Sequence, residues 1–226
     1  MSAPVYDIQG VEHRYGERLA LRCKALTVQP GRIVGIRGPN GAGKSTLLMI
    51  MSFLMAPASG VVRFCGQTGR CGDVGLRRRA VLLPQDPALL YRRVEANVLY
   101  GLRARDEAEV GAASRALELV GLDPDRYLRR WWWELSGGEA RRVALAARLA
   151  LKPTVLLLDE PTASLDPESA ELVRQAVLAA RAQDGLTVVA VSHDSEWLDS
   201  LCDDMYRLDP REDIEKLPQE GDACGP

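Results

Sequence analysis

The sequence has 226 residues, 29 basic against 31 acidic side chains, a formal charge of −2 and 46% hydrophobic residues. That length suits one domain or one with a small insertion, and the composition excludes collagen, coiled-coil and wholly disordered readings. A balance so close to neutral argues against bulk affinity for nucleic acid.

The apolar run at 47–58 is too short to cross a bilayer, and the first residues lack the basic start and apolar stretch of a secretory signal. Five cysteines (Cys23, Cys65, Cys71, Cys202, Cys224) without a Cys-x-x-Cys pair predict reduced thiols, not a disulfide frame or a zinc site. The expected setting is the cytoplasm, with any membrane role exercised through a partner. In chain order, apolar or β-branched runs predict strands at 5–8, 32–36, 61–64, 80–83, 154–158 and 187–191. The unbroken runs at 155–158 and 188–191 suit strands covered on both faces, as in a parallel α/β sheet. Helical patterns fall at 44–55, 94–103, 107–120, 138–151 and 168–182. Because 88–150 reads as helix only, it is expected to be a helical insertion in a single α/β domain spanning 1–208. From Asp209 to the end, Asp209, Glu212, Asp213, Glu215, Glu220 and Asp222 outnumber Arg211 and Lys216, so 209–226 is expected to be an acidic, solvated and mobile tail.

The strongest local pattern is Gly38-Pro39-Asn40-Gly41-Ala42-Gly43-Lys44-Ser45, a P-loop between a predicted strand and a predicted helix. Glycines let backbone amides approach phosphate oxygens, and the helix N-terminus adds unpaired N–H groups. Lys44 is expected to reach the β- and γ-phosphates and the Ser45 hydroxyl to bind Mg²⁺. A second phosphate-site element is the apolar strand that ends in Asp159-Glu160. Asp159 is placed to hold Mg²⁺ beside Ser45, and Glu160 to polarise an attacking water. The competing reading of Glu160 is an acidic cap on the turn into Pro161.

Between these two elements lies Leu135-Ser136-Gly137-Gly138-Glu139, which opens a predicted helix. This motif, in this order after a P-loop, resembles the signature of ATP-binding cassette (ABC) ATPases, although Glu139 stands where glutamine is commoner. The resemblance runs from about Val5 to Leu208. It implies a P-loop NTPase, RecA-like α/β core, with a small antiparallel β subdomain and a helical insertion that carries the signature. It also implies ATP and Mg²⁺ as cofactors and a head-to-tail homodimer or heterodimer with two ATP molecules between the subunits.

By the same resemblance, Tyr15 lies against adenine, with a half-buried strand tyrosine as the alternative. Gly38, Asn40, Gly41, Gly43, Lys44, Ser45 and Thr46 hold the phosphates, and Ser45, Gln85 and Asp159 hold Mg²⁺. Glu160, His193 and Gln85 serve hydrolysis, with His193 contacting the γ-phosphate. Ser136, Gly137, Gly138 and Asp166 address the nucleotide of the partner subunit, Asp166 from a loop that also contains Ser164.

A lone cassette with only about 90 residues between P-loop and signature resembles the peripheral, cytoplasmic-face subunit of a prokaryotic importer. Tungstate-type and cobalt/nickel uptake cassettes are the nearest resemblances. An exporter, a lipoprotein-release system and a non-transport ATPase remain the alternatives. In the family the segment after Gln85 receives the membrane subunit; here 86–103 carries Leu89, Leu90, Tyr91, Val94 and Val98, expected either as the apolar floor of a groove rimmed by Arg92 and Arg93 or as a plain amphipathic insertion. The successive Trp131, Trp132 and Trp133 cannot all point one way, so at least one ring is expected at the surface, either in partner contact or in packing of the insertion.

Overall fold

A computed structural model describes residues 3–209 and 213–218. The chain opens with two long strands, β1 (Tyr6–Tyr15) and β2 (Arg18–Val28), then β3 (Ile33–Arg37), α1 (Lys44–Met51), β4 (Ser59–Phe64) and the short β5 (Gln67–Thr68). There follow α2 (Val74–Arg79), β6 (Ala80–Leu83), α3 (Val94–Val98), α4 (Tyr100–Arg103), α5 (Ala112–Leu119), α6 (Pro124–Tyr127) and α7 (Gly137–Leu149). The last part comprises β7 (Val155–Asp159), α8 (Pro167–Asp184), β8 (Thr187–Val191), α9 (Ser195–Leu201), β9 (Asp204–Arg207) and β10 (Glu215–Lys216).

Two sheets result. One is antiparallel, in the order β2-β1-β4-β5. The other runs β10-β9-β3-β8-β7-β6 and is parallel except for β10. Alternation along its central strands explains how the layers stack. Val34, Ile36, Val155, Leu157, Val189 and Val191 face Leu47, Leu48 and Met51 of α1 and, beyond them, the antiparallel sheet. Their sequence neighbours Ile33, Leu156, Leu158, Val188 and Ala190 face the other way, onto α7 and α8. Both faces are thus covered, which is why β7 and β8 are buried throughout and apolar except for Asp159 at the end of β7 and Thr187 at the start of β8. Burying each such leucine or valine contributes about 1.5–3 kcal/mol. The consequence for function is positional: the C-terminal ends of β3 and β7 open together beside the start of α1.

Helix starts are written locally. The Ser136 hydroxyl accepts from the Glu139 amide while the Glu139 carboxylate accepts from the Ser136 amide, a reciprocal cap on α7. Asp166 caps α8 by accepting from the Ser169 amide at 2.8 Å, with Pro167 in the first turn.

Three expectations need correction. A strand over 18–28 was not predicted, because Arg18, Arg22 and Lys24 break up an alternation whose inward residues Leu21, Cys23, Leu26 and Val28 are buried. Val94 and Val98 are fully buried in the core beneath the helices, so they are not the floor of a surface groove. The tail from Asp209 is not simply solvated. Glu215–Lys216 adds an antiparallel strand to β9, Ile214 is buried, Lys216 pairs with Asp204 at 2.7 Å, and Asp213 pairs with Lys24 of β2 at 2.5 Å. The acidic residues Glu212, Glu220 and Asp222 lie outside the described residues.

Candidate active site

The loop between β3 and α1 turns tightly enough that only glycine fits at its two ends. At Gly38 an added Cβ would sit 2.2 Å from the Leu208 carbonyl oxygen, and at Gly43 it would sit 2.3 Å from that of Ala20. Gly43 also has a φ of 93°, in the left-handed region. Lys44, the first residue of α1, is buried, and its Nζ donates to the carbonyls of Gly38 at 2.8 Å and Pro39 at 3.2 Å. The ammonium is therefore fixed over the loop that frames it.

This loop is one wall of a cleft of about 350 Å³. Asn40, Gly41, Gly43, Lys44, Ser45 and Thr46 line it, as do Gln85, Asp159, Glu160 and Tyr15, so ten of the residues expected from sequence meet in one place. Gly38 lies just behind, as the partner of Lys44. Arg18 and Ala20 of β2 complete the wall next to Tyr15, which is half exposed. Sequence reasoning missed Arg18 because it lies in the unrecognised strand.

Asp159 ends β7 with less than a tenth of its surface exposed. Burial pushes its carboxyl above the ordinary value; the neighbouring Glu160 adds to this, while a hydrogen bond from Ser45 and the charge of Lys44 pull the other way. Among the described residues no cluster of three His, Cys, Asp or Glu side chains has the make-up of a protein-only metal cage. The hydroxyl of Ser45 and the carboxylate of Asp159, hydrogen-bonded to each other, are instead the pair of hard oxygen donors that suits Mg²⁺ shared with phosphate oxygens and water.

Glu160 is held differently. Its φ of 47° is left-handed, a conformation that costs a non-glycine residue about 1–2 kcal/mol. Its amide is anchored to the Val191 carbonyl at 2.9 Å. Its Oε2 accepts from the Ser192 hydroxyl at 3.0 Å and the His193 amide at 3.2 Å, and lies 2.8 Å from His193 Nδ1. With the proton on Nδ1 the imidazole donates there as well. All three contacts end on Oε2. The expected His193 is thus a direct partner of Glu160, a pairing that the sequence reading did not foresee.

The remaining expected residues do not line the cleft. Ser136, Gly137 and Gly138 start α7 elsewhere, with Gly138 against Ser169 and Leu165, and Asp166 accepts from the Ser169 hydroxyl at 2.8 Å. They form a second group of their own. Glu139 reaches back with Oε2 to the Ser136 amide, while Tyr127 donates to its Oε1 and Arg130 stands 3.9 Å off. Burial opposes ionisation of Glu139, but the bonds from Tyr127 and Ser136 and the charge of Arg130 outweigh it and hold the carboxyl below its usual range.

A family model described as ABC transporter matches residues 21–163 of the chain. The chain belongs to this family. As an ABC ATPase it is 40% identical over 223 residues to Protein STAR1 of rice (Oryza sativa subsp. japonica), covering 96% of this chain and 64% of that one. It is 35% identical over 204 residues to the tungstate uptake system ATP-binding protein TupC of Peptoclostridium acidaminophilum, covering 89% and 93%. Its fold superposes with a TM-score of 0.83 on the dimeric, post-hydrolysis ATP-binding cassette MJ0796 bound to ADP and Pi, at 29% identity and covering 95% and 99%. The P-loop cleft belongs to an ATP-hydrolysing cassette, and the expectations of family, fold and ATPase activity stand.

The segment after Gln85 forms one more surface of this ABC ATPase. The buried Asn97 side chain accepts from the Leu90 amide and donates to the carbonyls of Leu90, Arg92 and Arg93, which fixes the segment after Gln85. Trp131 bridges to Arg93, and the Trp131 and Trp133 rings stack at 4.7 Å. Tyr91 meets the edge of Trp132 at 4.8 Å. Tyr91, Trp133 and Tyr100 are each more than half exposed, so aromatic surface does reach solvent here, as the three successive tryptophans required.

Among the described residues no helix is long and apolar enough to cross a membrane.

Proposed function

We propose that this chain is the nucleotide-binding subunit of a membrane importer for an inorganic ion or other small nutrient, acting as a dimer with two Mg-ATP held between cassettes. The observation that carries the reading is the division of the site: Lys44, Ser45, Asp159 and Glu160 share one cleft, whereas Ser136, Gly137, Gly138 and Asp166 lie outside it. Beyond capping α7 and α8, the second group would then serve the nucleotide of another cassette, as in a head-to-tail pair.

In this scheme Tyr15 stacks on the base, and the amides of 40–46 with Lys44 hold the phosphates. Ser45, Asp159 and Gln85 would hold Mg²⁺, which when bound would neutralise charge on the nucleotide phosphates. Glu160 orients water for in-line attack on the γ-phosphate, where catalysis is mostly positioning and charge neutralisation. The three donors on Oε2 keep Glu160 in one rotamer, and His193 spans from it toward the γ-phosphate. Loss of that phosphate removes what both subunits grip, and the dimer opens.

Import is supported by the name of TupC, most of whose length this chain covers. Membrane subunits are proposed to dock on the aromatic face formed by Tyr91, Tyr100, Trp131 and Trp133, which would place the subunit on the cytoplasmic side of the membrane. The test is an affinity pull-down of tagged Glu160→Gln from detergent-solubilised native membranes with Mg-ATP, with Lys44→Ala as control. Enrichment of a multi-span membrane protein is expected. Recovery of soluble or ribosomal proteins alone would overturn the importer reading and leave the ATPase intact.

A further inference from the structure

Arg141 is used by none of the motifs above, yet it touches three of the elements that carry them. It lies one turn into α7, four residues after Gly137, with its side chain about one-seventh exposed. Its Nη2 donates to the backbone carbonyl of Gln85 at 2.8 Å, and its Nη1 donates to that of Ala163. The Asp86 carboxylate stands 3.9 Å from the same guanidinium but is itself almost wholly exposed, so the carbonyls are the firm partners. A guanidinium is a planar fork of fixed geometry, and two of its nitrogens here span two loops that are 78 residues apart in sequence, reckoned from Gln85 and Ala163.

Each loop carries part of the proposed machinery. The Gln85 loop lines the cleft. The other runs from Glu160 to Asp166, turns through the left-handed Ser164, and closes on itself through bonds from Ala163 to Glu160 and from Leu165 to Thr162. At its far end, buried Arg142 donates to the Ser169 hydroxyl at 2.8 Å, and that hydroxyl donates to Asp166. Two adjacent arginines thus brace the loop at two points, but only Arg141 also reaches Gln85.

We infer that Arg141 is a positioning residue that locks the Gln85 loop, the 160–166 loop and the start of α7 into one unit, so that engagement of the γ-phosphate in a chain's own cleft sets the pose of the Ser136 and Asp166 group it offers to the other cassette. This rests on the dimeric ATPase reading proposed above. It makes the arginine responsible for assembly and turnover, not for nucleotide affinity, because the guanidinium bonds to backbone and does not line the cleft.

The test compares Arg141→Ala and Arg141→Lys with the parent chain. ATP affinity is read by fluorescent-nucleotide titration, turnover by phosphate release, and ATP-driven dimerisation by light scattering in the Glu160→Gln background. Both variants are expected to bind ATP within about twofold of the parent, to lose about tenfold or more in kcat with KM little changed, and to need at least tenfold more protein to dimerise. Lysine should rescue poorly, since a single ammonium on a shorter reach cannot span both carbonyls. Hydrogen exchange should rise in the 85–87 and 163–165 segments. If Arg141→Ala does not fold, Arg141→Lys carries the test alone. Parent-like kcat and dimerisation in a folded variant would overturn the inference, as would a loss confined to ATP affinity. A parent chain that neither dimerises nor hydrolyses ATP would instead refute the underlying reading.

Discussion

Lys44, Asp159 and Glu160 are each less than a tenth exposed, whereas Tyr91, Tyr100 and Trp133 leave more than half of their surface in the open. The first group sits where β3 and β7 end beside α1, backed by strands buried on both faces. The second sits on the helical stretch between β6 and β7, where one side of each short helix packs on the core and the other side meets solvent. The contrast teaches where each kind of specificity is stored. Phosphate chemistry needs charges held still in a low-dielectric cleft, so the fold spends its most rigid part on it. The proposed recognition of another chain needs accessible area, which the exposed rings of Tyr91, Tyr100 and Trp133 supply.

Glu160→Gln presses hardest on the cleft side. It keeps the shape while removing the proposed base, so turnover should fall by about 10²–10⁴-fold, measured by steady-state phosphate release, with ATP affinity preserved. If turnover survives, Glu160 is a turn cap and nothing more. Lys44→Ala should weaken ATP binding by about 3 kcal/mol, on the order of a hundredfold, in a calorimetric titration. An unchanged dissociation constant would contradict the role of the cleft.

On the exposed side, Trp133→Ala should barely move the melting temperature of the isolated chain, since surface changes stay within about 0.5 kcal/mol. It should weaken retention of the membrane partner by about 2 kcal/mol, roughly thirtyfold, as an exposed aromatic anchor does. Undiminished capture would move the docking surface elsewhere. The smallest effect concerns thiols. Burial pushes Cys23 and Cys202 up to about 12, the former with Asp213 adding, the latter with Asp203 and Asp199. At pH 8 both should resist iodoacetamide in the folded protein while the exposed Cys65 and Cys71 react, as read by peptide mass spectrometry. The sign for stability follows. An acid whose folded pKa is raised favours the native state below the unfolded value near 8.5, and that contribution is lost as pH climbs toward 12. Melting temperature should therefore decline above about pH 9.

The cleft was legible in the sequence because its parts are contiguous. Lys44 and Ser45 follow their glycines directly, and Asp159 and Glu160 end an unbroken apolar run. What stayed hidden was mostly long-range. The bond between His193 and Glu160 joins residues 33 apart in sequence, and no spacing rule relates them. Arg18 and Arg141 received no role from the sequence because the strand or loop that gives each its neighbours lies elsewhere in the chain. The 18–28 strand was lost to its interleaved basic residues, and β9 and β10 to their brevity. The segment 213–218 was misjudged for a different reason: its composition is that of a solvated end, and a single buried Ile214 with two ion pairs was enough to anchor it.

That anchorage bears on how the protein can be handled. The antiparallel return of β10 is what gives β9 a hydrogen-bonded neighbour on its outer side, and the pair between Asp213 and Lys24 fastens the same segment to the other sheet. A chain shortened after Leu208 would keep every residue of the cleft yet present β9 as a bare sheet edge, with the seat of Ile214 uncovered beside it. Such an edge is a template for strand addition by a neighbouring molecule. The trimmed protein would then form aggregates in place of the proposed ATP-bound pair, and its loss of activity would be mistaken for damage to a site it still possesses intact.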